Sequence, residues 1–305
     1  MLEILGKTSI DFMGKRRWAF LFSGVMVVLG MVALVQIARG SANLGIDFAG
    51  GTAVQLKFEQ AVKIDEARKV LEANGLGNAE LQEFGQENKL LIRLKASTTI
   101  EEKVADRVVA VFTKEFASNH FVVESSTEIG PTIGKKLQGD ALIAIVISFV
   151  GIILYVAGRF EFRFGIAAAL ATFHDVLAVL GAFYILDKEI TLLVVTALLT
   201  LAGYSMTDTV VVFDRIRENL RIRRRETEET IINNAINQVL SRTIVTSLTV
   251  VLVLIPLTIA GGEVLHDFSL ALLWGVIFGT YSSVFVASPL LLFWPGASGR
   301  LLKRS

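Results

Sequence analysis

Six runs of apolar residues, each long enough to cross a bilayer, constrain this chain more than any other feature. They cover residues 18–37, 141–158, 164–186, 190–213, 243–260 and 268–294. An α-helix rises about 1.5 Å per residue, so roughly 20 residues traverse a hydrocarbon core about 30 Å thick. Hydrocarbon offers backbone N–H and C=O groups no partner, so each run must close its own hydrogen bonds as a helix. With 53% of its 305 residues hydrophobic, the chain carries more apolar surface than a soluble domain of that length needs. Ser41-Ala42 after the first run would suit a signal cleavage site. That run is longer than a signal's apolar segment, so it reads as a retained span.

Basic residues set the expected orientation. Lys7, Lys15, Arg16 and Arg17 precede the first span, and Arg159 and Arg163 separate the second from the third. Arg215, Arg217, Arg221, Arg223, Arg224 and Arg225 follow the fourth, and Arg300, Lys303 and Arg304 follow the sixth. The short connections on the other side hold only Lys188. By the positive-inside rule both termini are expected in the cytoplasm. The division then reads as 1–44 (N-terminus and first helix), 45–138 (extracytoplasmic domain), 139–297 (helices two to six, with a cytoplasmic loop at 214–239) and 298–305 (cytoplasmic tail). The loop is charged and amphipathic, and reads either as a segment along the inner membrane face or as a solvated linker.

The 45–138 insertion reads as a β-α-β-β-α-β unit. Strands are predicted at 52–59, 80–84, 89–95 and 121–128, and helices at 64–74 and 98–116, with Thr98 and Glu101 spaced as a capping box. The order is that of a ferredoxin-like α+β domain, a fold that names no function by itself. Within the insertion, Gly50-Gly51 suits a hinge or a tight turn, because glycine tolerates positive φ.

Composition excludes several chemistries. Without cysteine there is no disulfide, thiolate metal site or thiol nucleophile. A net charge of +1 gives no bulk attraction to nucleic acid. Gly130-Pro131-Thr132-Ile133-Gly134-Lys135-Lys136 looks like a phosphate loop, but it is one residue short, contains Pro and lacks Ser or Thr after the Lys. It reads as a turn into the second span, so no nucleotide is expected on this chain. His120, His174 and His266 lack metal-site spacing, and no nucleophile–His–acid set is evident. No catalytic residue, metal or cofactor is therefore expected.

The informative residues are ionisable groups inside the spans. Asp208 lies in the fourth, Arg242 opens the fifth, and Asp175 sits beside His174 near the middle of the third. A charge at mid-membrane costs at least ~2.5–3.5 kcal/mol, so such groups face a bundle interior and usually carry function. Spans four and five run in opposite directions, which lets Asp208 and Arg242 meet at similar depth. Two readings stay open: a static ion pair pinning two helices, or a proton site whose charge balance changes as either residue moves. Arg242 alone would also serve as a snorkelling anchor. Asp175 and His174 are auxiliary candidates, as are Tyr204, Thr207 and Thr243, and hydroxyls on Tyr204, Thr209, Ser241, Thr243 and Thr246 would suit a water wire. Ala271, Gly275, Gly279, Ser283 and Ala287 recur every four residues along the sixth span, a ridge for close packing within the bundle or towards another subunit.

Several motifs together resemble the SecF branch of the SecD/SecF family. Gly45-Ile46-Asp47-Phe48-Ala49-Gly50-Gly51-Thr52 is similar to the glycine-rich motif after the family's first helix. Gly203-Tyr204-Ser205, Asp208-Thr209-Val210-Val211 and Phe213-Asp214-Arg215-Ile216-Arg217-Glu218-Asn219 are similar to its fourth-helix signature. Asn237-Gln238 with Leu240-Ser241-Arg242-Thr243 resembles the start of its fifth helix. Gly279-Thr280-Tyr281-Ser282-Ser283 and Ala287-Ser288-Pro289 resemble its sixth. Thr207 stands where the family usually has Asn, which puts the hydrogen bonding around Asp208 in question.

The resemblance implies half of a resistance–nodulation–division (RND) type bundle in the bacterial inner membrane, completed by a SecD-like protein. It implies export of preproteins alongside a SecYEG-type translocon channel, with the proton-motive force drawn on through Asp208 and Arg242. Two competing readings are a proton-driven exporter of small molecules or lipids from the same superfamily, and a passive translocon scaffold.

Overall fold

A computed structural model of the chain describes residues 8–84, 88–95, 104–223 and 225–293. By its contacts the chain divides into two units, Met1–Asn43 with Ala144–Ser305, and Leu44–Ile143. The first helix, α1 (Arg16–Ala38), is an uninterrupted apolar helix and belongs to the former.

The second unit opens on a four-residue helix, α2 (Ile46–Ala49), too short to leave a periodic signal in the sequence. Gly45 caps it, its carbonyl accepting the Phe48 and Ala49 amides at 3.0 Å each, and Asp47 lies in its first turn. The chain then reverses at Gly50 (φ +75°) and Gly51 (φ +144°), backbone conformations that suit glycine. β1 (Gly51–Phe58), α3 (Ile64–Ala73), β2 (Glu80–Phe84), β3 (Lys89–Lys95), α4 (Val104–Glu115) and β4 (Phe121–Ile129) follow. The sheet order is β2-β3-β1-β4 with every neighbouring pair antiparallel. Strand β3 thus lies between β1 and β2, the split β-α-β arrangement of a ferredoxin-like fold. Val54, Leu56 and Phe58 alternate inward along β1 and pack with Leu71 of α3, Leu90 and Ile92 of β3, and Val108 and Phe112 of α4. Thr98 and Glu101 lie outside the described residues.

Residues 131–136 are not a turn. α5 (Pro131–Arg159) is helical from its first residue, because proline's fixed φ and missing N–H cost nothing at a helix start. Its opening turns pack on the glycine-rich segment. A Cβ on Gly134 would stand 2.8 Å from the Phe48 carbonyl oxygen, and Gln138 donates to that oxygen at 2.9 Å.

Four long helices follow: α6 (Phe162–Ile185), α7 (Leu192–Ile222), α8 (Glu228–Ala260) and α9 (Gly262–Ser282). The last continues through a π-helical turn, Ser283–Ala287, into α10 (Ser288–Leu290) and a 3₁₀ turn, Leu291–Phe293. Six helices among the described residues are long and apolar enough to span a membrane. α6 is the enclosed one, with 72% of its apolar window buried, while α5 and α8 have 11% each and present their flanks outward. α1 crosses α6 at two glycines, where a Cβ on Gly30 would fall 2.2 Å from the Leu177 carbonyl oxygen and one on Gly181 3.0 Å from the Gly30 nitrogen.

Most of residues 214–239, expected as a loop, is helical, and residues 223–227 connect the two helices. α7 runs on to Ile222 and α8 begins at Glu228, capped by Thr227. The charges mislead because they occupy one side only: Phe213, Ile216, Ile232, Ala235 and Ile236 are buried in a common core. The segment before α1 is strapped onto this hairpin. Asn237 accepts the Ile10 amide at 2.9 Å, Asn233 accepts the Phe12 amide at 2.8 Å, and Phe12 and Met13 are buried.

Residues 45–138, expressed alone, are expected to fold and unfold cooperatively in denaturant. Phe112→Ala should cost that segment about 3–5 kcal/mol, the usual loss for a buried Phe. Gly50→Val should destabilise it as well, since a Cβ there meets the Pro131 backbone at 3.0 Å in a left-handed conformation. Circular dichroism melts of the three proteins check both.

Candidate functional site

The site begins with an acid that solvent does not reach. Asp175, on α6, is fully buried, and a carboxylate there must take its hydrogen bonds from the protein. It takes three. Its Oδ1 receives His174 Nδ1 at 2.9 Å, and its Oδ2 receives Ser282 Oγ from α9 at 2.8 Å and Ser205 Oγ from α7. One carboxylate thereby joins three helices. His174 is buried beside it, and its Nε2 finds no hydrogen-bond partner among the described residues.

Asp208 lies one turn after Ser205 on α7 and is only partly buried. Ser283 Oγ donates to its Oδ2 at 2.6 Å. The serine next in sequence to the Asp175 donor therefore serves the second acid. Arg242 and Thr243 approach Asp208 from α8. The Arg242 side chain is exposed and makes no ion pair among the described residues, and the buried Thr243 hydroxyl lacks hydrogen-bond geometry to any partner. Thr207 points away, its hydroxyl donating to the Gly203 carbonyl at 3.1 Å.

A line of hydroxyls runs close to the Asp208 site. Tyr204 Oη lies 3.5 Å from Ser247 Oγ, which lies 2.5 Å from Thr280 Oγ1. Ser283 Oγ, the Asp208 donor, stands 3.0 Å from the Thr280 backbone carbonyl, not from its hydroxyl, so the line of hydroxyls ends at Thr280. Of the hydroxyls suggested by the sequence, Tyr204 belongs to this line, whereas Thr246 bonds back to the Arg242 carbonyl at 2.9 Å. Ser205, Ser247, Thr280 and Ser282 escape sequence reasoning as polar partners. The available signal is that each is a polar residue inside an apolar run.

The small-residue ridge makes these contacts possible. A Cβ on Gly275 would stand 2.6 Å from Leu201 Cδ1, and one on Gly279 3.1 Å from Ser205 Cβ, so α9 lies directly on α7. Ser283 continues the ridge as a hydrogen-bond donor. Gly45, Asp47, Gly50 and Gly51 belong to the other unit. No group of His, Asp and Glu with metal-binding geometry occurs among the described residues.

Another face of α7 is open. Thr196, Thr200, Gly203 and Thr207 are exposed along one stripe, and each threonine hydroxyl bonds to a carbonyl of its own helix. Gly203 and Thr207 line a groove with Ser148, Gly151 and Tyr155 of α5.

Against known proteins, a family profile described as protein export membrane protein SecD/SecF, C-terminal, matches residues 108–297. A second, for the SecD/SecF GG motif, matches residues 43–62. The protein translocase subunit SecF of Thermodesulfovibrio yellowstonii is 52% identical over 294 residues, covering 96% of this chain and 97% of that protein. The SecF subunit of Calditerrivibrio nitroreducens is 41% identical, covering 95% and 96%. Among solved structures, SecDF from Thermus thermophilus, described as a translocon-associated membrane protein, superposes with a TM-score of 0.82 at 36% identity. The match covers 94% of this chain but 39% of the SecDF chain. SecDF in a super-membrane-facing form superposes with a TM-score of 0.69 at 35% identity, covering 98% and 40%.

The two glycine faces predict opposite outcomes for one substitution. Gly275→Val drives two methyls into Leu201 and should destabilise the folded chain in detergent by about 1–3 kcal/mol. A Cβ on Gly203 meets nothing within 4 Å, so Gly203→Val should leave the isolated chain's melting temperature close to wild type. Thermal melts by tryptophan fluorescence compare them.

Proposed function

This chain belongs to the SecD/SecF family of protein-export membrane proteins, and on that footing we propose that it works as a SecF-type subunit that couples proton movement to preprotein export. The carrying observation is Asp208: a partly buried carboxylate at membrane depth, held by one serine and flanked by Arg242. Conformational work of this kind needs no covalent chemistry and no enzyme active site. A proton crossing ~100 mV releases about 2.3 kcal/mol, enough to bias a two-state helix or domain equilibrium.

The proposed partner is a SecD-like protein that supplies the other half of an RND-type bundle. The α7 stripe and its groove support this, since small and hydroxyl-bearing faces are what helices in lipid use to approach one another. The match of this chain to about two fifths of SecDF points the same way. A SecYEG-type channel and emerging preproteins are the further proposed partners, with Gly50-Gly51 as the proposed hinge of the outer domain. The proposed location is the bacterial inner membrane. Arg16, Arg159, Arg163 and Arg215 gather at one end of the bundle, where Arg159 pairs with Asp214 at 3.1 Å and Arg16 pairs with Glu229. By the positive-inside rule that end, and both termini, face the cytoplasm, and the ferredoxin-like unit faces outward.

Asp208→Asn keeps the side chain's size but fixes it neutral. It should assemble normally yet abolish gradient-dependent export into inverted vesicles. Arg242→Met should also fail. The decisive variant is the double one: a structural ion pair predicts that Asp208→Asn with Arg242→Met restores assembly and export, whereas a proton site predicts assembly without export. Restored export would remove the proton reading. The partner is tested separately. Gly203→Trp should leave the chain folded while reducing co-purification of a SecD-like protein from native membranes at least tenfold.

A further inference from the structure

Two consecutive serines that serve acids on two different helices need an explanation, and Pro289 supplies its first half. In a continuous α-helix the amide of residue 289 would donate to the Phe285 carbonyl. Proline has no N–H, and its ring collides with that carbonyl. The helix avoids the collision by widening: Ser283–Ala287 is a π turn, and Ser288 Oγ donates to the Ser283 carbonyl five residues back at 2.7 Å. A π turn inserts one residue, so the segments before and after it are rotated by about 100° relative to an unbroken α-helix. The segment after it is fixed by burial of Ser288 and Leu291. Ser282 ends the segment before it, and Ser283 is the first residue of the turn.

The second half is Asp175. It hydrogen-bonds neither Asp208 nor Ser283 among the described residues, yet it holds a near neighbour of each. Ser282 precedes Ser283, and Ser205 lies one turn before Asp208. Its other partner, His174, comes from its own helix. Around Asp208 itself stand Ser283 from the π turn, Arg242 and Thr243 from α8, and Tyr204 from α7.

We propose that Asp175 is the positioning residue of the Asp208 site: by accepting the Ser205 and Ser282 hydroxyls it holds α7 against the Pro289-imposed π turn in the one register that brings the Ser283 hydroxyl to Asp208. The acid on α6 acts through the helices it joins. The inference rests on the reading of Asp208 as the proton site only for its export measurement. Its structural claim stands apart from that reading.

The test is infrared difference spectroscopy on the full chain with its partner in lipid nanodiscs. The Asp208 band is identified as the one lost in Asp208→Asn, and Ser283→Ala gives its shift when the serine bond is removed. Ser282→Ala leaves Asp208 and Ser283 in place. It should shift the Asp208 band in the same direction as Ser283→Ala and lower gradient-dependent export at least tenfold, and Ser282→Thr should restore both. Pro289→Ala, remote from both acids, should shift the band likewise by relaxing the π turn. An Asp208 band at its wild-type position in both Ser282→Ala and Pro289→Ala would overturn the proposal, leaving Asp175 as a pin between helices. Should Asp208→Asn instead support normal export, the proton reading fails while the band shifts still decide the positioning claim.

Discussion

A carboxylate sealed inside a membrane bundle has no water to fall back on, and the arrangement of the helices around Asp175 follows from that. An isolated charge in such a place is prohibitive, and it is tolerable only where the protein supplies the donors that water would have given. His174 supplies one from α6 itself and the other two come from neighbouring helices, so α7 and α9 are drawn to α6 at the depth of Asp175. Close approach then requires small residues at the crossing. Gly279 lies against Ser205, and any larger side chain there would push away the hydroxyl that Asp175 needs. The small-residue ridge and the buried acid are therefore one device, the ridge setting the distance between helices and the acid setting their register.

How far this was legible in the sequence depends on the kind of signal. The six spans are read from length and apolarity, which the bilayer imposes directly, and all six are helices in the structure. The strands at 80–84 and 89–95 coincide with β2 and β3, because alternation between two turns leaves little freedom. Segment 214–239 misled because charge dominated its composition while its buried residues recur at helical spacing, spread over two helices. The four residues of α2 are too few to show any period.

Within the site the acids were legible and their partners were not. Asp175 and Asp208 stand out as ionisable residues in apolar runs. Serine does not stand out, since most serines in membrane helices fill space or bond to their own backbone, as Thr207 and Thr246 do. Whether a given serine crosses to another helix depends on crossing geometry that one sequence does not carry. Pro289 was visible inside the sixth run, but the sequence does not show how the helix accommodates it. The structure gives it a widened turn that continues into α10.

The two acids differ in how much it costs to disturb them, and this decides which one can take part in a cycle. Net of competing water, a hydrogen bond to a charged group contributes about 1.5–3 kcal/mol. Asp175 accepts three, and with no exposure it has nothing to exchange them for, so unseating it opposes several times the ~2.3 kcal/mol that one proton delivers across 100 mV. Asp208 accepts one, from Ser283, and is only partly enclosed by this chain. Exchange of that single bond for water or a proton lies within reach of the same energy. A three-donor carboxylate suits a fixed reference point, and a one-donor, partly enclosed carboxylate suits the moving part. The adjacent serines at 282 and 283 keep the moving part in register with the fixed one.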